Sequence, residues 1–159
     1  MSQDTQSEFL FSRTITPLII PKEKVVVVYP QWSLERALLV LTRQGTNSVP
    51  VINDSDQVEG LISKTDILDF LMKKSQGDDD FDFTGIANYK VSDALNPIHT
   101  GILADSIFSF AFEVLVNQSY VPIIDIKGKF VGILTRKVMM EKVIEFFKEE
   151  YLQAFAKQI

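Results

Sequence analysis

Apolar residues recur at helical spacing in two parts of the chain. One set occupies positions i, i+3, i+4 and i+7 and consists of Leu34, Ala37, Leu38 and Leu41. The same spacing returns 73 residues later, from 34 to 107, with Ile107, Phe110, Ala111 and Val114. This period is typical of a helix with one buried face. Two amphipathic helices are therefore predicted, the first capped by Ser33 and ended by Gly45.

Short apolar runs follow each of these helices, and they also occur twice. The runs VPVI and GLIS begin at positions 49 and 60, and VPII and GILT begin 72 residues later, at 121 and 132. They predict two pairs of strands, at about 48–53 with 58–63 and 120–125 with 130–134. A helix is expected after each pair, from Thr65 or Asp66 to about Lys74 and from Lys137 past Phe147. The repetition predicts an α+β fold of two units related by a pseudo-two-fold axis, with a cleft between the halves.

The pattern is less regular around the two units. A buried strand is predicted from Val25 to Tyr29, because β-branched residues favour strands, and Asp105 is expected to cap the second repeat helix. The predicted divisions are an N-terminal arm (1–23), a first unit (24–76), a linker (77–97), a second unit (98–148) and a C-terminal helix extension (149–159). The apolar content of the extension favours a subunit interface over packing against the arm; its residues are Tyr151, Leu152 and Phe155.

Composition narrows the functional classes. Hydrophobic residues make up 46% of the 159 residues, which is enough for a core. The chain has no cysteine and no basic start followed by an apolar run, so a cytoplasmic protein without disulfides or a signal peptide is expected. A net charge of −5 argues against nucleic acid as the partner, because phosphate contacts dominate such binding. The longest apolar run is too short to cross a bilayer, so no membrane span is expected.

A short motif ends each second strand and begins the following helix. Residues 60–66 read GLISKTD, and residues 132–138 read GILTRKV. Glycine permits the tight turn, and the hydroxyl stands at a helix N-terminus, where free N–H groups favour a phosphate. With the helix-strand-strand-helix order, the motifs resemble the CBS domain. Two copies resemble the tandem CBS pair, or Bateman module, with β-α-β-β-α units over about residues 14–148.

Three further stretches are similar to small stand-alone bacterial CBS proteins of the CbpB/DarB type, which bind cyclic di-AMP. They are LERALLVLT at 34–42, KVV at 24–26 and TRK at 135–137. The resemblance implies a nucleotide sensor without chemistry or a cofactor of its own, and a disc-like homodimer with an adenine nucleotide in the cleft between repeats. It also implies regulation of a partner such as a (p)ppGpp synthetase or pyruvate carboxylase.

The resemblance assigns a ligand site residue by residue. Lys24, Arg136 and Lys137 would meet the phosphates, with Thr135 beside them, because an arginine fork binds phosphate well. The adenine walls would come from Val25, Val26, Thr46, Asn47, Ser48, Val49 and Pro50. Ser63 and Asp66 would form a secondary nucleotide site, although Asp66 is equally suited to capping its helix. The second motif has Val138 where the first has this acid. Two cations at a helix N-terminus oppose the helix dipole, which favours a bound anion over simple solvation.

Other functions stay open at this point. AMP, ADP or ATP is the alternative ligand, and a ligand-free structural interaction module is a further alternative. A metal-dependent hydrolase using the carboxylates of Asp78 to Asp80 is a third and weaker hypothesis. His99 is the single histidine and has no partner in the sequence, and neither a nucleophile elbow nor a Walker loop is present. The sequence therefore favours a binding protein over an enzyme.

Overall fold

The first half of the protein contains the helices and strands that the repeat predicts. The computed structural model describes residues 9–75, 83–97 and 101–157. A two-residue strand β1 (Ile20–Pro21) is followed by α1 (Leu34–Gln44), β2 (Ser48–Ile52), β3 (Val58–Ser63), α2 (Lys64–Lys74) and α3 (Val91–Ala94). The hydroxyl of Ser33 accepts a hydrogen bond from the Arg36 amide at 3.2 Å, and Gly45 ends α1 with a φ of +66°. Both predicted ends of α1 are confirmed.

The second half repeats this order. Its elements are β4 (Ile102–Leu103), α4 (Phe108–Val114), β5 (Tyr120–Ile124), β6 (Phe130–Thr135) and α5 (Arg136–Lys157). Strands β2 and β3 form one antiparallel pair, and β1, β6, β5 and β4 form a sheet in that order. Pro50 pairs with Leu61, and Pro122 pairs with Ile133 in the same register. The predicted α+β fold with two related units is confirmed.

Two predicted local features are wrong. Within the predicted strand from Val25 to Tyr29, Val28 alone forms a bridge, a parallel one to Val51. Its amide donates to the Pro50 carbonyl at 3.1 Å and its carbonyl accepts from the Ile52 amide at 3.0 Å. Asp105 does not cap α4, since the helix begins three residues later without a side-chain cap. Instead the Phe108 amide donates to the Arg13 carbonyl at 2.7 Å, so a residue of the N-terminal arm supplies the acceptor.

The segments that precede the two units cross over. Leu10 and Ile15 of the arm are buried in the core of the second half, together with Phe108 and Leu134. Val91, which follows the first unit in the sequence, is buried in the core of the first half. A smaller cluster of Ile52, Val58 and Phe130 lies where the two hairpins meet. Each half is thus completed by a chain segment that precedes the other half.

The C-terminal extension of α5 exposes apolar side chains. Tyr151 is 70% exposed, and Leu152 and Phe155 are more than half exposed. Among the described residues, no helix combines the length and the apolar character that crossing a membrane requires. The stretch from Asp78 to Asp80, considered above as a metal site, lies outside the described residues. Within them, no cluster of three potential metal ligands occurs.

Candidate functional site

A pocket of about 480 Å³ opens between the two halves. This volume lies in the range of small-molecule sites, about 300–1,000 Å³. The arm contributes Ile20, and the residues after the arm contribute Lys24, Val25 and Val26. The remaining lining residues come from the end of α1, the turn after it and the start of β2, and from the start of β5 and the end of β6; they are Gln44, Thr46, Asn47, Ser48, Val49, Pro50, Ser119, Tyr120, Ile133 and Thr135.

The first half shapes its side of the pocket through the turn after α1. Gly45 reverses the chain, and the next residues lead directly into β2. The Asn47 carbonyl accepts a hydrogen bond from the Lys64 amide at 3.1 Å, which ties this turn to the start of α2. The Pro50 carbonyl accepts from the Val28 amide at 3.1 Å and thereby fixes the segment that follows Val25 and Val26. The apolar wall of the pocket is therefore held by backbone hydrogen bonds.

The second half contributes an aromatic residue that is bonded across the pocket. The hydroxyl oxygens of Ser48 and Tyr120 lie 2.9 Å apart. Burial raises the pKa of the Tyr120 phenol to about 12, and the hydrogen bond with Ser48 acts in the opposite direction. The phenol therefore stays protonated and uncharged at neutral pH. Because it carries no negative charge, it does not repel an anionic ligand.

Positive charge enters the pocket at one side chain. Lys24 is the single cation among the described lining residues, and no carboxylate lies among them. The exposed ammonium of Lys24 has neither an ion pair nor a hydrogen bond within the described part of the chain. Thr135 also lines the pocket, immediately before α5, and its hydroxyl accepts from the Val138 amide at 3.1 Å. The ammonium of Lys24, unpaired within the described residues, therefore favours a phosphate in this pocket.

Arg136 does not line this pocket. Its Nε donates to the Leu115 carbonyl at 2.8 Å, and its Nη2 donates to the Val116 carbonyl at 3.3 Å. These carbonyls follow the C-terminus of α4, where free oxygens and the helix dipole favour a cation. Stabilisation of the α4 terminus therefore gives this charge a partner other than the anion inferred from the sequence.

The other predicted residues outside the pocket also have local partners. The side chain of Lys137 is 84% exposed and lies 4.0 Å from the Glu141 carboxylate, one turn along α5. Ser63 and Asp66 form a capping box at the start of α2. The Asp66 carboxylate accepts from the Ser63 amide at 2.8 Å, and the Ser63 hydroxyl accepts from the Asp66 amide at 3.0 Å. The capping role of Asp66 is thus observed directly.

Five of the described lining residues were not predicted from the sequence, although the repeat offset indicates two of them. Ser119 and Tyr120 stand 72 residues after Asn47 and Ser48, which were predicted. Applying the offset to the whole predicted set would have found both. Ile20 lies in the arm, so its position depends on the crossover, which the repeat does not encode. Gln44 and Ile133 are ordinary helix and strand residues by pattern and gave no separate signal.

Comparison with known proteins shows that this chain is similar to members of one family. The family model of the CBS domain matches residues 19–73. The cyclic di-AMP receptor B of Bacillus subtilis (strain 168) is 29% identical over 139 residues, which make up 87% of this chain and 91% of the receptor.

Solved structures of similar proteins share the fold. CbpB of Listeria monocytogenes is 30% identical with a TM-score of 0.72, covering 80% of this chain and 97% of CbpB. The complex of that protein with cyclic di-AMP gives 28% identity and a TM-score of 0.75, covering 84% and 97%. CBSX2, known from Arabidopsis thaliana, was solved with AMP; it is 25% identical with a TM-score of 0.68, covering 84% and 97%.

Proposed function

The chain belongs to the CBS-domain family and is of the CbpB/DarB type. We propose that it is a nucleotide-sensing regulator that binds cyclic di-AMP in the pocket between its two halves. The proposed role consists of binding and regulation, with no reaction of its own. One observation carries the proposal. The pocket is lined by all the residues predicted for the main ligand site except Arg136 and Lys137.

The chemistry of the pocket favours a cyclic dinucleotide over a mononucleotide. A mononucleotide presents free ribose hydroxyls, which a carboxylate binds well, and no carboxylate lies among the described lining residues. Asp66, the acid considered for that role, caps α2 outside the pocket. A cyclic dinucleotide presents two phosphates, for which Lys24 and the hydroxyl of Thr135, which both line the pocket, are suitable partners. AMP, ADP and ATP remain the second candidates, supported by the AMP complex of CBSX2.

Calorimetry with cyclic di-AMP, AMP, ADP and ATP tests the proposal, and we expect cyclic di-AMP to bind most tightly. At one hundred times its dissociation constant, it should raise the free energy of unfolding by about 2.7 kcal/mol. Lys24→Gln should weaken cyclic di-AMP binding about tenfold, since an exposed charge-assisted contact is lost.

Lys73→Gln is the matched control, because Lys73 is an exposed lysine of α2 that does not line the pocket. Its affinity should equal that of the unchanged protein. Equal losses in both variants would remove Lys24 from the site. A melting temperature that no nucleotide changes would favour a structural interaction module instead.

We also propose a homodimer, on the basis of the apolar surface of α5. Phe147, Tyr151, Leu152 and Phe155 are all more than half exposed, and exposed patches of this kind mark interaction surfaces. Light scattering should give twice the monomer mass of 18.0 kDa, and Phe147→Glu should shift the protein toward monomer. Lys148→Glu, a change at an exposed polar neighbour, is the control. A monomeric unchanged protein at micromolar concentration would contradict the homodimer.

The regulated partner is proposed from the resemblance alone. A (p)ppGpp synthetase or pyruvate carboxylase would bind this protein in a manner that depends on whether the pocket is occupied. Co-purification of each enzyme with and without cyclic di-AMP measures this directly. If neither enzyme associates under either condition, the partner assignment fails while the ligand assignment stands.

A further inference from the structure

Tyr120 differs chemically from the other described residues that line the pocket. It is the single aromatic side chain among the described lining residues. Its backbone is fixed within the sheet, because it pairs with Thr135 of β6. The side chain is half-buried, so part of it remains accessible from the pocket.

The position of its side chain is set from the other half of the protein. Ser48 begins β2 as Tyr120 begins β5, and the two residues stand at equivalent places in the repeat, 72 positions apart. Their hydroxyl oxygens are 2.9 Å apart. Equivalent residues that touch lie close to the pseudo-two-fold axis. The hydrogen bond therefore fixes the phenol at the centre of the cleft, where both halves meet.

Taking the proposed nucleotide ligand as given, we propose that Tyr120 is a ligand-binding residue whose ring stacks on an adenine base. Ser48 is then the residue that positions this ring. A base has a flat π-face that stacks on aromatic side chains. The rest of the lining offers aliphatic side chains, polar side chains and a single lysine. An orienting hydrogen bond reduces the rotamer freedom that the ring would otherwise lose on binding.

Three variants test this inference against a structural role for the same pair. Tyr120→Leu removes the ring and should weaken cyclic di-AMP binding about ten- to one-hundredfold, the range for losing one base stack. Tyr120→Phe and Ser48→Ala keep the ring but remove the hydrogen bond, so each should weaken binding less than tenfold. Calorimetry measures all three.

A second readout reports stacking directly. In the unchanged protein, the adenine H2 and H8 resonances of bound cyclic di-AMP should move upfield, because a stacked ring shields them. This shift should persist in Tyr120→Phe and disappear in Tyr120→Leu. Loss of a purely structural hydrogen bond would leave no such pattern, since Tyr120→Phe would then resemble Tyr120→Leu.

The outcomes separate this inference from the proposed function. If the unchanged protein binds cyclic di-AMP without an upfield shift, or if Tyr120→Leu binds as tightly as the unchanged protein, the stacking role is wrong and nucleotide binding stands. If the unchanged protein binds no nucleotide, both fail. The measurement on the unchanged protein decides the case even if Tyr120→Leu does not fold.

Discussion

Replacing Gly132 with valine is expected to lower the free energy of unfolding by about 3 kcal/mol, the upper part of the range for overpacking a core. A Cβ at Gly132 would overlap the carbonyl oxygen of Ile20. These residues lie where β1 pairs with β6, with Pro21 directly opposite Gly132. The carbonyl group of Ile20 is backbone and cannot rotate away as a side chain would. The arm must therefore move away from β6 to accommodate the valine. Urea denaturation measures the loss.

Gly128→Ala is the control for this change. Gly128 has a φ of +80°, and no atom lies within 4 Å of the Cβ that alanine would add. Its cost should be about 1 kcal/mol, from backbone strain alone. Equal losses in the two variants would mean that the arm does not lie against β6 in solution. Because Ile20 lines the pocket, the folded fraction of Gly132→Val should also bind cyclic di-AMP more weakly than that of Gly128→Ala.

The repeated helices and strands could be predicted from the sequence because each has its own local sequence pattern. Ser33 and Gly45 mark the ends of α1, and β-branched residues at equal register mark the two hairpins. The strand expected from Val25 to Tyr29 fails because composition alone does not show where a partner strand ends. Asp105 fails as a cap because the acceptor comes from Arg13, more than ninety positions away in the sequence. Local patterns do not contain such long-range contacts.

The residues of the pocket likewise include some that local sequence patterns predict and some contacts that they do not. Lys24 and the residues from Thr46 to Pro50 were predicted, and the fold brings them together. Arg136 has the side chain expected of a phosphate ligand, yet its guanidinium is bonded to the Leu115 and Val116 carbonyls. Which acceptor an arginine side chain binds depends on the positions of all the acceptors within its reach. The sequence identifies the donor, but the competition among acceptors for this guanidinium depends on the folded structure.

Replacing Ile15 with alanine is expected to cost about 3 kcal/mol, within the range for large-to-small core changes. Ile15 is 0% exposed and packs beside Phe108 in the core of the second half. Its amide also donates to the Ser106 carbonyl at 2.9 Å. Ile126→Ala is the matched control, because Ile126 is 89% exposed and its loss should cost less than about 0.5 kcal/mol. Equal stability of the two variants would contradict the crossed packing of the arm.

Ile15→Ala also separates folding from binding, because Ile15 does not line the pocket. A ligand that binds only the folded state adds a free energy set by its concentration and dissociation constant. Cyclic di-AMP should therefore stabilise Ile15→Ala and the unchanged protein by the same amount, although the two start from different stabilities. Urea denaturation with and without ligand measures both increments. A smaller increment in Ile15→Ala would mean that the packing of the arm in the core is coupled to the geometry of the pocket, to which the arm contributes Ile20.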